Sequence, residues 1–409
     1  MLNRIWAAFF FLGFLAACAR AAFFGDPGVF RDVVGALFDM AKTGFEIALG
    51  LTGVMCLWLG VLRVGEAGGA VARLTRLFQP LFRRLFPSIP AGHPAEGSIV
   101  MNMAANVLGL DNAATPIGLK AMGELQELNP DKESASNDQI LFLVINTSSV
   151  TLLPVTIFTY RAQMGAADPT DVFLPMLIAT TCSTLVGLFV TAAVQRRNLA
   201  DRVILGYLGA VIGVVAALIA YFVRLDREAM EAQSAFLANV LILSVIILFL
   251  AAAIRRGAPV YEVFVDGAKE GFRVAVGIIP YLVAMLVAIG VFRASGALDL
   301  LLDGIRAVAS AAGLDTRWVD GLPTALMKPL SGSGARGMLI ETMRVYGADS
   351  FAGRLSSVVQ GSTETTFYVL AVYFGSVGIR RTRHAVGCGL AADAAGVIAA
   401  IAASYLFFG

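Results

Sequence analysis

Glu364 stands in the run Ser362-Thr363-Glu364-Thr365-Thr366, with apolar sequence on both sides. A carboxylate among hydroxyls inside an apolar segment has three chemical options. It can take up a coupling H+, hold Na+ together with neighbouring oxygens, or pair with a buried cation such as Lys328. A second polar run, Asn146-Thr147-Ser148-Ser149-Val150-Thr151, is embedded in the same way in the first half of the chain. Polar and ionisable groups in a membrane span are costly and usually face a cavity or pathway. Hydroxyls also join packed membrane helices for about 0.6 kcal/mol each. Two such runs in corresponding places favour a lined pathway over packing alone.

Further candidates lie in segments broken by Gly, Pro and Asn. Asn102 and Asn106 are spaced i,i+4, which puts both amides on one helix face. Asn112 and Thr115, with Asp111, are expected to cap a helix opened by Pro116. Such a helix start offers free N–H groups to an anion. Lys328, Ser331 and Ser333 occupy the second broken segment, Lys328-Pro-Leu-Ser-Gly-Ser-Gly-Ala-Arg-Gly337. Its G-x-G-x-x-G letters lack the strand and βαβ context of a dinucleotide site. HExxH, GxSxG and Walker patterns do not occur, and a Ser331 or Ser333 dyad with Lys328 has nonspecific spacing, so the chain is not read as an enzyme. Cys18, Cys56, Cys182 and Cys388 are scattered without CxxC spacing, and His93 and His384 flank spans. No metal site or cofactor is proposed from them.

The elements that position these residues must be membrane helices. The 409 residues are 58% hydrophobic and 15% charged, with a mean hydropathy of +0.77, far from a soluble composition. A net charge of +2 gives no surface for nucleic acid. Runs able to cross a core of about 30 Å fall near 4–24, 42–62, 138–161, 172–194, 203–223, 235–255, 272–292, 352–378 and 384–408. The stretches 95–127 and 320–346 are read as re-entrant hairpins, tolerable only where they line a cavity or pack in protein. Arginines after the second, fourth, sixth and eighth spans predict a cytoplasmic N-terminus. Residues 1–22 also have the pattern of a lipoprotein signal ending at Cys18, though an uncleaved first span is the preferred reading. Residues 74–86 alternate as an interfacial amphipathic helix.

Internal similarity is direct. Lys42-Thr-Gly-Phe-Glu-Ile-Ala-Leu-Gly50 matches Lys269-Glu-Gly-Phe-Arg-Val-Ala-Val-Gly277, and Gly60-Val-Leu-Arg63 matches Gly290-Val-Phe-Arg293. Asn102 then aligns with Lys328, and Ser149 with Glu364. The predicted organisation is a first repeat at 1–200, a linking span and loop at 201–234, and an inverted second repeat at 235–409. Inverted repeats with broken helices are a transporter architecture. The fold class is therefore an all-α polytopic membrane protein with about nine spans, two inverted repeats and a re-entrant hairpin in each.

At this point the chain resembles a known group. His93-Pro94, Asn102 to Asn106, the run GLDNAATPIG at 109–118, Lys120-Ala-Met122 and Asn146-Thr-Ser148 with Leu153-Pro-Val-Thr156 are similar to the spore maturation protein A family. Lys269-Glu-Gly-Phe272, Ile279-Pro-Tyr-Leu-Val283, Phe292-Arg-Ala-Ser-Gly-Ala297, Pro329-Leu-Ser-Gly-Ser-Gly334 and Gly361-Ser-Thr-Glu-Thr-Thr-Phe-Tyr368 resemble the spore maturation protein B family. The resemblance implies the nucleoside-recognition gate group, related to concentrative nucleoside transporters and ferrous-iron transporter membrane domains. It supplies no substrate. The expected function is a bacterial inner-membrane secondary transporter for a small polar, anionic or nucleoside-like solute, coupled to H+ or Na+. Partners are that solute, the lipid bilayer and a second copy of the chain. The alternative is a non-transporting scaffold for cell-envelope or spore-maturation processes.

Overall fold

A backbone that crosses lipid must satisfy its own polar groups, and this composition does so with helices. The computed structural model describes residues 2–108, 111–148, 150–151, 154–225 and 227–409. Side chains at 2–5, 51, 71, 111–113, 116, 227, 228, 230–232, 234, 235, 274, 278 and 281 lie outside that description. Among the described residues there is no strand.

The first half opens with α1 (Leu2–Phe23), α2 (Val29–Ala67) and a lateral helix, α3 (Ala70–Leu85). A hairpin of α4 (Pro94–Val107) and α5 (Asp111–Leu128) follows, then α6 (Asn137–Thr147), α7 (Val155–Gln163) and α8 (Phe173–Gln195). A linking helix, α9 (Arg202–Phe222), leads into α10 (Arg227–Arg255), α11 (Val260–Ala294) and the lateral α12 (Ala297–Ala311). After a short 3-10 turn the second hairpin is α13 (Leu322–Met327) and α14 (Gly332–Tyr346), followed by α15 (Phe351–Ser362), α16 (Thr366–Ser376) and α17 (Ala385–Phe408). Seven of the described helices are long and apolar enough to cross a membrane.

The two remaining spans expected from hydropathy, 138–161 and 352–378, are not continuous. Each breaks at its polar run, into α6 and α7 and into α15 and α16. Pro154 lacks an N–H to continue the first helix, and the Ser148 hydroxyl turns back to Val144 O at 2.8 Å. In the second run the backbone becomes extended at Thr363 (φ −148°, ψ 171°) and Thr365 (φ −86°, ψ 92°). Pro116 does not open a helix either: α5 already begins at Asp111.

Equivalent elements pair with one another. Gly44 faces Val283, Cys56 faces Gly271 and Gly60 faces Gly267, so α2 and α11 run antiparallel. Gly187 faces Ala392 and Gly396 faces Ser183, which makes α8 and α17 antiparallel as well. The leading helices are exchanged: α1 lies on α11, with Gly13 against Val291, and α10 lies on α2, with Gly65 against Phe249. Exchange of equivalent contacts combined with antiparallel direction is the signature of an inverted repeat. The lateral helix α3 packs on α4 and α9 and buries Phe82 and Leu85, while Leu77 on the same helix stays exposed. Helix α9 is mostly exposed, as a lipid-facing linker would be.

Each end of the molecule carries a polar clamp between the halves. At one end Arg380 and Arg381 donate their backbone N–H groups to Glu133 O at 2.9 and 3.0 Å, and beside them, within the first half, Arg197 pairs with Asp138. Gln195 Oε1 accepts from Arg197 Nε at 2.6 Å, and its amide nitrogen donates to Asn137 O at 2.9 Å. That orientation turns the same nitrogen toward His384 Nε2, 3.0 Å away, so the ring must accept and be neutral. Burial, and then the neighbouring Arg383 charge, hold the His384 pKa below the ordinary imidazole value. The unfolded chain binds that proton more readily. The stability this residue adds is therefore fully present above about pH 6.5 and is lost as the pH falls below that value through the lower folded pKa. In a His384→Gln variant the acid-side fall in melting temperature should shrink; an unchanged acid limb would remove His384 as its source.

Candidate functional site

The two breaks meet between the halves. The C-terminal end of α6 supplies Thr147 O, which accepts the backbone N–H of Glu364 at 2.7 Å. That carbonyl is an unsatisfied group of a helix end, and the N–H belongs to the extended segment between α15 and α16, so the breaks of opposite halves complete each other. The Thr147 and Thr366 hydroxyls touch at 2.7 Å. Beside them, Phe367 N–H donates to Pro329 O at 3.0 Å, fastening the tip of the second hairpin to the second break. Thr365 lies over Gly332, where a side-chain carbon would come within 2.9 Å of its hydroxyl.

An amide ladder joins the first hairpin to the first break. Asn102 is fully buried and its Nδ2 donates to Ala114 O at 2.7 Å, closing the hairpin across its tip. Asn106 Nδ2 reaches Asn146 Oδ1 at 2.9 Å and Asn102 Oδ1 at 3.5 Å. Asn146 Nδ2 returns to Phe142 O at 2.9 Å, inside its own helix. Tyr373 of α16 meets Asn102 and Gly118 of this hairpin, while Tyr160 of α7 meets Arg336 of the second hairpin. Each half thus holds the hairpin of the other.

Not every polar residue reaches across the site. Ser331 caps α14 by accepting from Gly334 N at 3.0 Å, and Ser333 lies 3.3 Å from it. Ser362 donates to Val359 O at 2.8 Å, and Ser148 is spent within α6 in the same manner. Thr115 is half-buried in the first turns of α5 and does not start the helix. Ser149 and the Asn112 side chain fall outside the described residues. Lys328 is buried at the hairpin tip, within electrostatic reach of Asp393. Glu364 has its backbone fastened in the break while its side chain is exposed. A short extended segment lets one residue point away from both helices, which a continuous span would not allow.

Asp393 is the residue that sequence reading missed. It is 3% exposed in α17, and its Oδ2 accepts from Thr366 Oγ1 at 2.7 Å. Its signal was a lone acid between Ala391-Ala392 and Ala394-Ala395, in a segment whose mean hydropathy hid it. A second buried charge cluster, Arg161 with Asp171 and Asp349, lies at the far end of α7.

Comparison with known proteins follows the same halves. Residues 48–164 and 275–380 match the Gate family, described as nucleoside recognition. Over 154 residues the chain is 53% identical to spore maturation protein B of Bacillus subtilis (strain 168), which spans 38% of this chain and 85% of that protein. Over 183 residues it is 38% identical to spore maturation protein A of the same organism, spanning 45% of this chain and 90% of that protein.

Proposed function

This chain belongs to the Gate family, and from that premise we propose that it is an inner-membrane secondary transporter for a small polar, anionic or nucleoside-like solute. The observation that carries the proposal is the meeting of two interrupted helices from inverted halves, through Glu364 N–H on Thr147 O and Thr147 on Thr366. Interrupted helices at the centre of inverted repeats are where transporters bind their cargo. Irregular backbone at that depth is tolerated where it lines a cavity or is buried in protein. Asn102, Asn106 and Asn146 supply amides that both donate and accept, the chemistry needed to read the edge of a polar ring. Thr363 Oγ1 is buried without a hydrogen-bond partner among the described residues, so polar capacity is left over. The buried Lys328 and the exposed Glu364 bring charges of both signs to the site. The arginine placement orients the chain with its N-terminus in the cytoplasm. The division into repeats at 1–200 and 235–409 is part of the same reading.

A second reading, a membrane scaffold, is favoured by the names of the two relatives, both called spore maturation proteins. Thermal unfolding of the purified full chain against nucleosides, nucleotides and small anions separates the two. A transported solute at about 100 times its dissociation constant should stabilise the protein by about 2.7 kcal/mol. Absence of any response across that panel, with a protein partner copurifying instead, would sink the transport reading.

A further inference from the structure

The carboxylate of Asp393 is held against the second break and is served by too few donors. Oδ2 accepts one hydrogen bond, from Thr366. Oδ1 has no hydrogen-bond partner among the described residues, and neither has the buried Thr363 Oγ1 that stands near it. An ionised carboxylate offers about four acceptor sites, and leaving it so poorly solvated at membrane depth is expensive. The contact is built into the helix. Gly389 and Gly396 lie on the same face of α17 as Asp393, one turn to either side. A side-chain carbon at either glycine would come within 2.7 Å of the Thr366 or Thr363 methyl group. Small residues there press the acid onto the break.

The hydroxyl chain beyond it has a defined direction. Thr366 has one hydroxyl proton and gives it to Asp393, so the 2.7 Å contact between the two threonines must be donated by Thr147. The chain therefore runs Thr147 to Thr366 to Asp393, from the first half into the second. Charged groups acting on Asp393 are Lys328 from the second hairpin and Glu364 from the break. Helix α8 presents Ser183, which donates to Ala392 O at 2.9 Å, and Gly187. Helix α6 presents Thr147 and Ser148. With all three groups ionised, two carboxylates share one ammonium, and a single proton brings the cluster to neutrality.

We propose that Asp393 is the proton-binding carboxyl of this protein, joined to the first half through the Thr366–Thr147 hydroxyl pair. A proton taken up at Oδ1 removes the buried charge and turns the nearby Thr363 hydroxyl from a donor toward the carboxylate into an acceptor from the acid. Release returns the proton to water and restores the carboxylate. The role of this proton in coupling rests on the transport reading; its binding does not.

Infrared difference spectra of the full chain in lipid, recorded on changing pH, test the proposal. A carboxylic-acid C=O band is expected that disappears in Asp393→Asn. In Thr366→Val, which keeps the acid and removes its hydrogen-bond donor, the same band should move to higher frequency. The second variant serves if the first fails to fold. A band unchanged in both variants, or no protonated carboxyl at any pH at which the protein stays folded, overturns the proposal. Proton-driven solute accumulation in vesicles should be lost in Asp393→Asn, and accumulation that persists overturns the coupling role. If the band behaves as expected while no solute in the panel shifts the melting temperature, the transport reading fails and the proton site stands.

Discussion

Arg161→Met is expected to destabilise the folded chain by about 3–5 kcal/mol, the cost of removing one partner from a buried ion pair. Arg161 is 0% exposed. Its guanidinium donates to Ala348 O at 2.7 Å, Asp171 Oδ1 at 2.8 Å and Asp349 Oδ1 at 3.1 Å. Three of the contacted groups are worth distinguishing. Asp171 keeps a second cation, since Arg354 Nε reaches its Oδ2 at 2.8 Å. Asp349 keeps the Ala167 N–H at 2.9 Å, but loses its buried charge partner. The carbonyl of Ala348 loses its Arg161 donor. The cluster also ties α7 and the loop before α8 to the turn that starts α15. Its loss should loosen the outer ends of both broken helices, so a solute-induced shift should weaken along with the melting temperature. Chemical or thermal unfolding in detergent measures the first effect. A change below about 1 kcal/mol, the scale of a surface pair, would show that the cluster is solvated in a way the buried geometry excludes.

The repeat and its inversion were legible because they rest on long matched strings and on arginine placement, both of which survive without knowledge of packing. The hairpins were legible for a related reason: Gly, Pro and Asn interrupt hydropathy over many residues. What stayed hidden was local. A hydropathy window averages across Ser148 to Pro154 and across Thr363 to Thr365, so two broken helices read as continuous spans. Averaging also concealed Asp393, one acid among alanines. For Glu364, sequence alone does not give the direction of the side chain, because within an extended break that depends on both helices that flank it. Among the polar candidates, residue type did not separate those that reach across halves, such as Thr147 and Asn106, from Ser148, Ser331 and Ser362, which close their own helix ends. That difference arises from which helix ends meet, and it is set by tertiary packing.

The seam between α2 and α11 predicts the second large effect, with a sign that reverses along one helix. Helix α2 has 39 residues and α11 has 35, so at 1.5 Å per residue α2 alone is roughly 58 Å long. Without a hydrophobic driving force between helices in lipid, such a pair depends on small residues that let the backbones approach. At Gly271 a side-chain carbon would sit 2.6 Å from Met55 O and 2.7 Å from Cys56 Cα. Both are backbone positions that no rotamer change can move. Gly271→Ala must therefore push α2 and α11 apart, and the expected cost is at the upper end of the roughly 1–3 kcal/mol of overpacking. Gly277, six residues further along the same helix, has open space where the carbon would go. Gly277→Ala should be neutral or stabilising by about 0.5–1 kcal/mol, from backbone entropy alone. Melting temperatures of the two variants, measured side by side, should move in opposite directions. Equal shifts would mean that the α2–α11 seam does not hold the halves together, and that the pairing of equivalent helices is not what orders the central site.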